Sequence, residues 1–150
     1  MSQLKAPSFA LQLVLIIISA IVQLFLLRLG FVIDVFLSAL LVISLIGAFE
    51  AVLIGGLLGY LLLFGPLLRL ELLYLLVIPL VIGYFGRQLL GKNIATFCGI
   101  TGLGLAVFYI LIDASAIFSA PLVIVGNIAF SLLWVVGIYF YISSRRSIAN

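Results

Sequence analysis

The sequence predicts an all-α membrane protein in which six transmembrane helices form a single domain over residues 1–150. Hydrophobic residues make up 67% of the chain and charged residues 7%, too little polar surface to cover a water-soluble domain. The charges divide the chain into six apolar windows of about 15 residues or more, each a candidate membrane crossing. We expect each window to be helical, because hydrocarbon offers no partners for unpaired backbone groups.

Each apolar window predicts the position of one helix along the chain. The first follows Lys5 and is too long for the core of a typical signal peptide, so we expect it to remain as an anchor. The third and fourth form a hairpin that turns at Gly65 and Pro66. As helices, their uncharged runs would be roughly 27 Å and 22 Å long, against a hydrocarbon core of ~30 Å. The predicted helices span residues 9–27, 31–46, 49–64, 70–86, 94–112 and 121–141.

Basic residues predict the orientation, since positively charged loops favour the cytoplasmic side of a membrane. With six crossings, most of the Lys and Arg residues fall on the side that holds both termini. We therefore expect both termini to be cytoplasmic. The residues on that side are Lys5, Arg87, Lys92, Arg145 and Arg146, and those on the opposite side are Arg28 and Arg69.

Polar residues on the first and last helices indicate which sides face other helices. Gln12, Ser19 and Gln23 lie along one line of the first helix, and two amides facing lipid would be unfavourable. Trp134 lies near the middle of the last helix, where its indole N–H needs a partner. We expect the polar stripe of the first helix to point into the bundle.

Small residues form stripes on the third and fifth helices, and such stripes let membrane helices approach closely. The third helix carries Gly55 and Gly59. The fifth carries Gly99, Gly102 and Ala106, and we expect that helix to be central. Ordinary packing within the bundle is the commoner role of such stripes. The alternative is a groove for a partner's transmembrane helix, for which these five residues are the candidates.

Five polar or charged residues are further candidates, because such groups are rare within membrane helices. Asp34 begins the second helix, where capping is the simpler role. Arg69 and Glu71 flank the outer turn of the hairpin, where a solvated loop would explain them. Asp113 follows the predicted end of the fifth helix, and Asn127 is the deepest of the five, where an interhelical hydrogen bond is the simpler role.

Catalysis and cofactor binding find no support in the sequence. It has no histidine and no HExxH, GxSxG or Walker A motif. Cys98 is the only cysteine, too few for a disulfide or a thiolate metal site within one chain. The dispersed basic residues do not form a nucleic-acid footprint. We therefore predict a protein of the lipid bilayer that is not an enzyme and has no catalytic residue, cofactor, metal site or nucleic-acid partner.

Several features of the chain occur together in one known family. They are the size, the six-window layout, Asp34, the glycine-rich third helix ending at Phe64 and Gly65, the sequence VIGYFGR over residues 81–87, Asn127, and the basic end at Arg145 and Arg146. In these features, and over nearly its full length, the chain resembles the MreD family, small polytopic membrane proteins of the bacterial rod-shape machinery. It departs from the usual family pattern at Ile33 and Leu61, where a proline and an aspartate are common.

The resemblance implies a non-enzymatic scaffold of cell-wall elongation and cell shape in the bacterial cytoplasmic (inner) membrane. Its implied partners are an MreC-like bitopic protein and the glycosyltransferase and transpeptidase pair that builds lateral peptidoglycan. MreD is also similar in architecture to the S components of energy-coupling-factor vitamin transporters. The alternative is therefore a substrate-binding S component, with Arg69, Glu71, Asp113 and Asn127 lining a polar cavity. A lipid-handling protein with a side opening between helices is a third reading.

Overall fold

The structure, a computed structural model, describes residues 7–31, 33–66, 70–89 and 94–147, and these residues form helices and short connections with no strand. The all-α prediction is confirmed. Four helices, α1, α4, α5 and α6, are long and apolar enough to cross a membrane, whereas α2 and α3 are shorter. The bounds are α1 Phe9–Arg28, α2 Val35–Ile46, α3 Phe49–Phe64, α4 Leu70–Leu89, α5 Ile94–Ser119 and α6 Pro121–Ser147.

Helix α2 is the centre of the bundle. It contacts each of the other five helices, and every residue from Val35 to Leu45 is buried. The prediction that the fifth helix is central is therefore wrong. The small residues of α5 indicated close approach to neighbouring helices. Every side chain of α2 is apolar or a serine, so other helices can pack against all of its faces.

The other five helices surround α2 in the order α1, α3, α4, α5, α6, each contacting the next. The ring does not close by backbone contact. In the described part of the chain, no Cα atoms of α1 and α6 come within 8 Å of each other. We call this opening the α1–α6 seam.

Helix α2 begins four residues later than predicted, at Val35 instead of Phe31. Gly30 adopts a positive φ of 85°, and the Phe31 N–H donates to the Leu26 carbonyl at 2.9 Å, which ends α1 with a Schellman turn. The Val35 N–H then bonds to the Ile33 carbonyl at 3.0 Å, a tight turn centred on Asp34. The two turns include Phe31, Ile33 and Asp34, which the apolar window had assigned to the second helix.

Helices α4, α5 and α6 extend beyond their predicted ends, to Leu89, Ser119 and Ser147. Asp113 consequently lies within α5, so its predicted position beyond the helix end is wrong. Charges end an apolar window, but a helix ends where the backbone meets a breaking residue or turn. Pro121 is such a signal, because it occupies the first position of α6.

Candidate functional site

The glycines of α3 pack inside the bundle. A Cβ added at Gly59 would lie 2.2 Å from Cε2 of Phe36 in α2, and one at Gly55 would lie 2.8 Å from Cδ1 of Ile16 in α1. Both distances are far below a normal carbon–carbon contact. These two candidates therefore let α3 approach α1 and α2, and neither offers space to a partner.

The small residues of α5 face three directions. Gly104, which the sequence analysis did not single out, allows α5 to approach Leu41 of α2, since a Cβ there would lie 2.8 Å from both methyl groups of that leucine. Gly102 faces Leu132 of α6 at an ordinary 3.9 Å. Gly99 faces open space, with no atom within 4 Å of an added Cβ, and Ala106 is half-buried.

Gly99 lies in an apolar groove of about 560 Å3 between α4 and α5, which we call the α4–α5 groove. Its two walls come from the second half of α4 and the first half of α5. Of the five predicted groove residues, only Gly99 lines it. The main lining residues are Phe85, Gly86, Ala95, Gly99, Ile100 and Leu103.

Arg87 fixes the α4 wall of this groove to the end of α2. Its Nε donates to the Ser44 carbonyl at 2.7 Å, and its Nη2 donates to the Gly47 carbonyl. The guanidinium also lies over the Phe49 ring, 4.1 Å from the ring centroid. Since the C-terminal carbonyls of a helix lack partners within it, a positive donor here stabilises α2.

Two glutamines of α1 bond to the ends of the central helix. The Phe36 N–H, in the first turn of α2, donates to Oε1 of Gln23 at 2.8 Å. The Ala48 N–H, just after α2, donates to Oε1 of Gln12 at 2.8 Å. Both glutamines are buried, so the prediction that the polar stripe of the first helix faces protein is confirmed.

Asp34 belongs to a polar cluster that joins three helices. The Asp34 side chain makes no capping bond to α2 and instead accepts a hydrogen bond from the Tyr109 hydroxyl of α5. Asn127 of α6 also bonds to Tyr109. We call these three residues the Asp34 cluster.

The Asp34 cluster brings together two predicted candidates and one residue that the prediction missed. Asn127 has the interhelical bond that its depth indicated, whereas the cap expected of Asp34 is supplied by Gln23. No sequence signal identified Tyr109, because an aromatic residue in a membrane helix is ordinarily a packing residue.

Of the remaining polar candidates, Glu71 is the one whose side chain the structure describes. Glu71 is half-buried in the first turn of α4. Arg69 and the side chain of Asp113 lie outside the described residues. Among those described, no three His, Cys, Asp or Glu side chains come together as metal ligands. The arrangement offers an apolar surface for packing and a hydrogen-bonding cluster.

No protein-family model matches this chain, and neither does a curated protein or a solved structure.

Proposed function

We propose that this chain is a non-enzymatic membrane scaffold that receives a transmembrane helix of a partner protein in the α4–α5 groove. The open space at Gly99 is the observation that carries the proposal. Gly59 and Gly104 face neighbours that an added Cβ would strike, whereas Gly126 and Gly137 of α6 are open but do not line this groove. At Gly99 the same small residue faces a free channel, so a second helix backbone can approach it.

The groove fits the physics of helix association in lipid. Acyl chains are as apolar as the helix surface, so association depends on close packing and hydrogen bonds between helices. The groove is lined by the small residues Gly86, Ala95 and Gly99 and by larger side chains, of which Phe85 and Leu103 are exposed. Small residues between larger ones form a surface into which side chains of a partner helix can interdigitate.

We propose that all six helices cross the membrane, with both termini in the cytoplasm. The 12-residue α2 would be only about 18 Å long, shorter than the hydrocarbon core. It can still cross, because protein surrounds it and Gln23 and Arg87 bond to its two ends. Irregular backbone at membrane depth is tolerated where protein covers it.

For the partners, we propose an MreC-like bitopic protein and the glycosyltransferase and transpeptidase pair of cell-wall elongation, in the bacterial cytoplasmic membrane. The sequence resemblance to MreD supports this choice. A bitopic protein also has the geometry that the groove accommodates, since it presents one helix to the membrane. The scaffold would act by holding that helix beside other helices and would catalyse no reaction itself.

Affinity purification in mild detergent tests the scaffold proposal. A Gly99→Leu variant adds a large side chain at a groove position where an added Cβ meets no atom within 4 Å, and Gly126→Leu is the matched control, because Gly126 of α6 is equally open. We expect the wild-type and Gly126→Leu proteins to retain a bitopic cell-wall protein and Gly99→Leu to lose it. Retention of every partner by Gly99→Leu would refute the groove as the binding site.

A second candidate function is that of a substrate-binding S component, which the Asp34 cluster favours. A carboxylate, a phenol and an amide from three helices are polar groups that could orient a small ligand. Thermal-shift screening against vitamins separates the two functions, since a ligand at 100 times its dissociation constant adds about 2.7 kcal/mol of stability. Capture of an ATP-binding cassette module would favour this alternative over the scaffold.

A further inference from the structure

We propose that the α1–α6 seam binds an acyl chain of an anionic phospholipid, with the headgroup at the C-terminal end of α6, which is the cytoplasmic end in the orientation proposed above. This site is separate from the α4–α5 groove, on a different pair of helices. The proposal starts from the one place where consecutive helices of the ring fail to touch through their backbones, within the described part of the chain.

The seam contains a narrow apolar groove of about 260 Å3. It is lined by Leu15 and Ile18 from α1 and by Trp134, Gly137, Ile138 and Tyr141 from α6. Its volume is less than half that of the α4–α5 groove, which suits a single flexible hydrocarbon chain better than a helix about 10 Å across. The surrounding bilayer supplies such chains.

Trp134 lines the groove and bridges the seam. Its indole Nε1 donates to the Ser19 hydroxyl of α1 at 3.0 Å, so the two helices are joined there by a side chain. The indole is thereby held in one orientation and presents an apolar ring to the groove. Gly137, about one turn later on α6, keeps the groove open, because no atom lies within 4 Å of an added Cβ.

Charge favours an anionic lipid at this position. Helix α6 continues past Tyr141 through Arg145 and Arg146, so two basic residues follow the groove by about one turn. Neither α1 nor α6 contains an acidic residue. Basic residues near a membrane surface attract anionic headgroups, and a chain in the seam would bring its headgroup toward this end.

Quenching of Trp134 fluorescence tests the proposal directly, because Trp134 is the only tryptophan of the chain. The protein is reconstituted into phosphatidylcholine vesicles that contain a small fraction of lipid with brominated acyl chains, which quench indole on contact. We expect brominated phosphatidylglycerol to quench several-fold more than the same fraction of brominated phosphatidylcholine. Quenching should also saturate at low lipid fraction, as for a site.

Three variants separate the seam from ordinary surrounding lipid. Gly137→Leu should abolish the extra quenching by phosphatidylglycerol, and the control Gly126→Leu, also at an open position on α6, should keep it. Arg145→Gln with Arg146→Gln should lower quenching by phosphatidylglycerol to the phosphatidylcholine level. Equal quenching by the two lipids in the wild type would overturn the headgroup assignment, whatever the variants do. Unchanged quenching in a folded Gly137→Leu protein would overturn the seam as the site.

Discussion

The bond from Gln23 to the start of α2 gives a prediction about stability. Gln23→Met keeps the length of the side chain but removes the oxygen that accepts the Phe36 N–H at 2.8 Å. That N–H lies in the first turn of a buried helix, where no earlier turn supplies a carbonyl. Leaving a buried donor unpaired costs about 1–3 kcal/mol, although interhelical bonds in membranes average about 0.6 kcal/mol.

We therefore expect Gln23→Met to lose about 1–2 kcal/mol, which is a roughly 5–30-fold change in the ratio of folded to unfolded protein. The assay is unfolding in mixed micelles with increasing sodium dodecyl sulfate, followed by Trp134 fluorescence. Trp134 is a suitable reporter because it bonds to Ser19 on the same helix as Gln23.

The matched control is Phe25→Met, two residues away on α1, where the side chain is 62% exposed. In lipid or detergent this substitution should change stability by less than about 0.5 kcal/mol. If Gln23→Met unfolded at the same detergent fraction as Phe25→Met, the role of Gln23 as the cap of α2 would be refuted.

Four further substitutions, two of them combined in one double-mutant cycle, have expected outcomes in the same unfolding assay. Arg87→Met should cost about 1–3 kcal/mol through its two bonds to carbonyls near the end of α2, and a stability equal to wild type would contradict that role. Tyr109→Phe and Asp34→Asn should be non-additive by about 1 kcal/mol in a double-mutant cycle, and additivity would show that their bond contributes nothing. Gly59→Leu should lower the yield of folded protein, since overpacking costs about 1–3 kcal/mol or more, and a folded, fully stable variant would contradict the close contact.

Much of the helical layout could be predicted from apolar windows, because the charges that divide this chain are so few. The bounds of α3 match the prediction at Phe49 and Phe64. The start of α2 and the ends of α5 and α6 do not match, since hydropathy is insensitive to turn geometry and to helix that continues past a charged residue. Gly30 and Pro121 were the residues in the sequence that could have indicated the end of α1 and the start of α6.

The candidate site was harder to predict than the helices. A stripe of glycines indicates close approach, but the sequence does not say whether the neighbour belongs to the same chain. Gly59 meets Phe36 of this bundle, and Gly99 meets open space, although both belong to similar small-residue patterns. Likewise, Tyr109 joins Asp34 across 75 positions of sequence, a pairing that depends on how the helices are ordered around α2.

The most direct test of the scaffold proposal is site-specific photocrosslinking from the α4–α5 groove in intact cells. A photoreactive residue at Leu103, which is 60% exposed in the groove, is compared with one at Leu133 of α6, which is 65% exposed and lines neither groove. The proposal predicts a discrete crosslinked partner from Leu103 and none from Leu133. Crosslinking to lipid alone from both positions would contradict it.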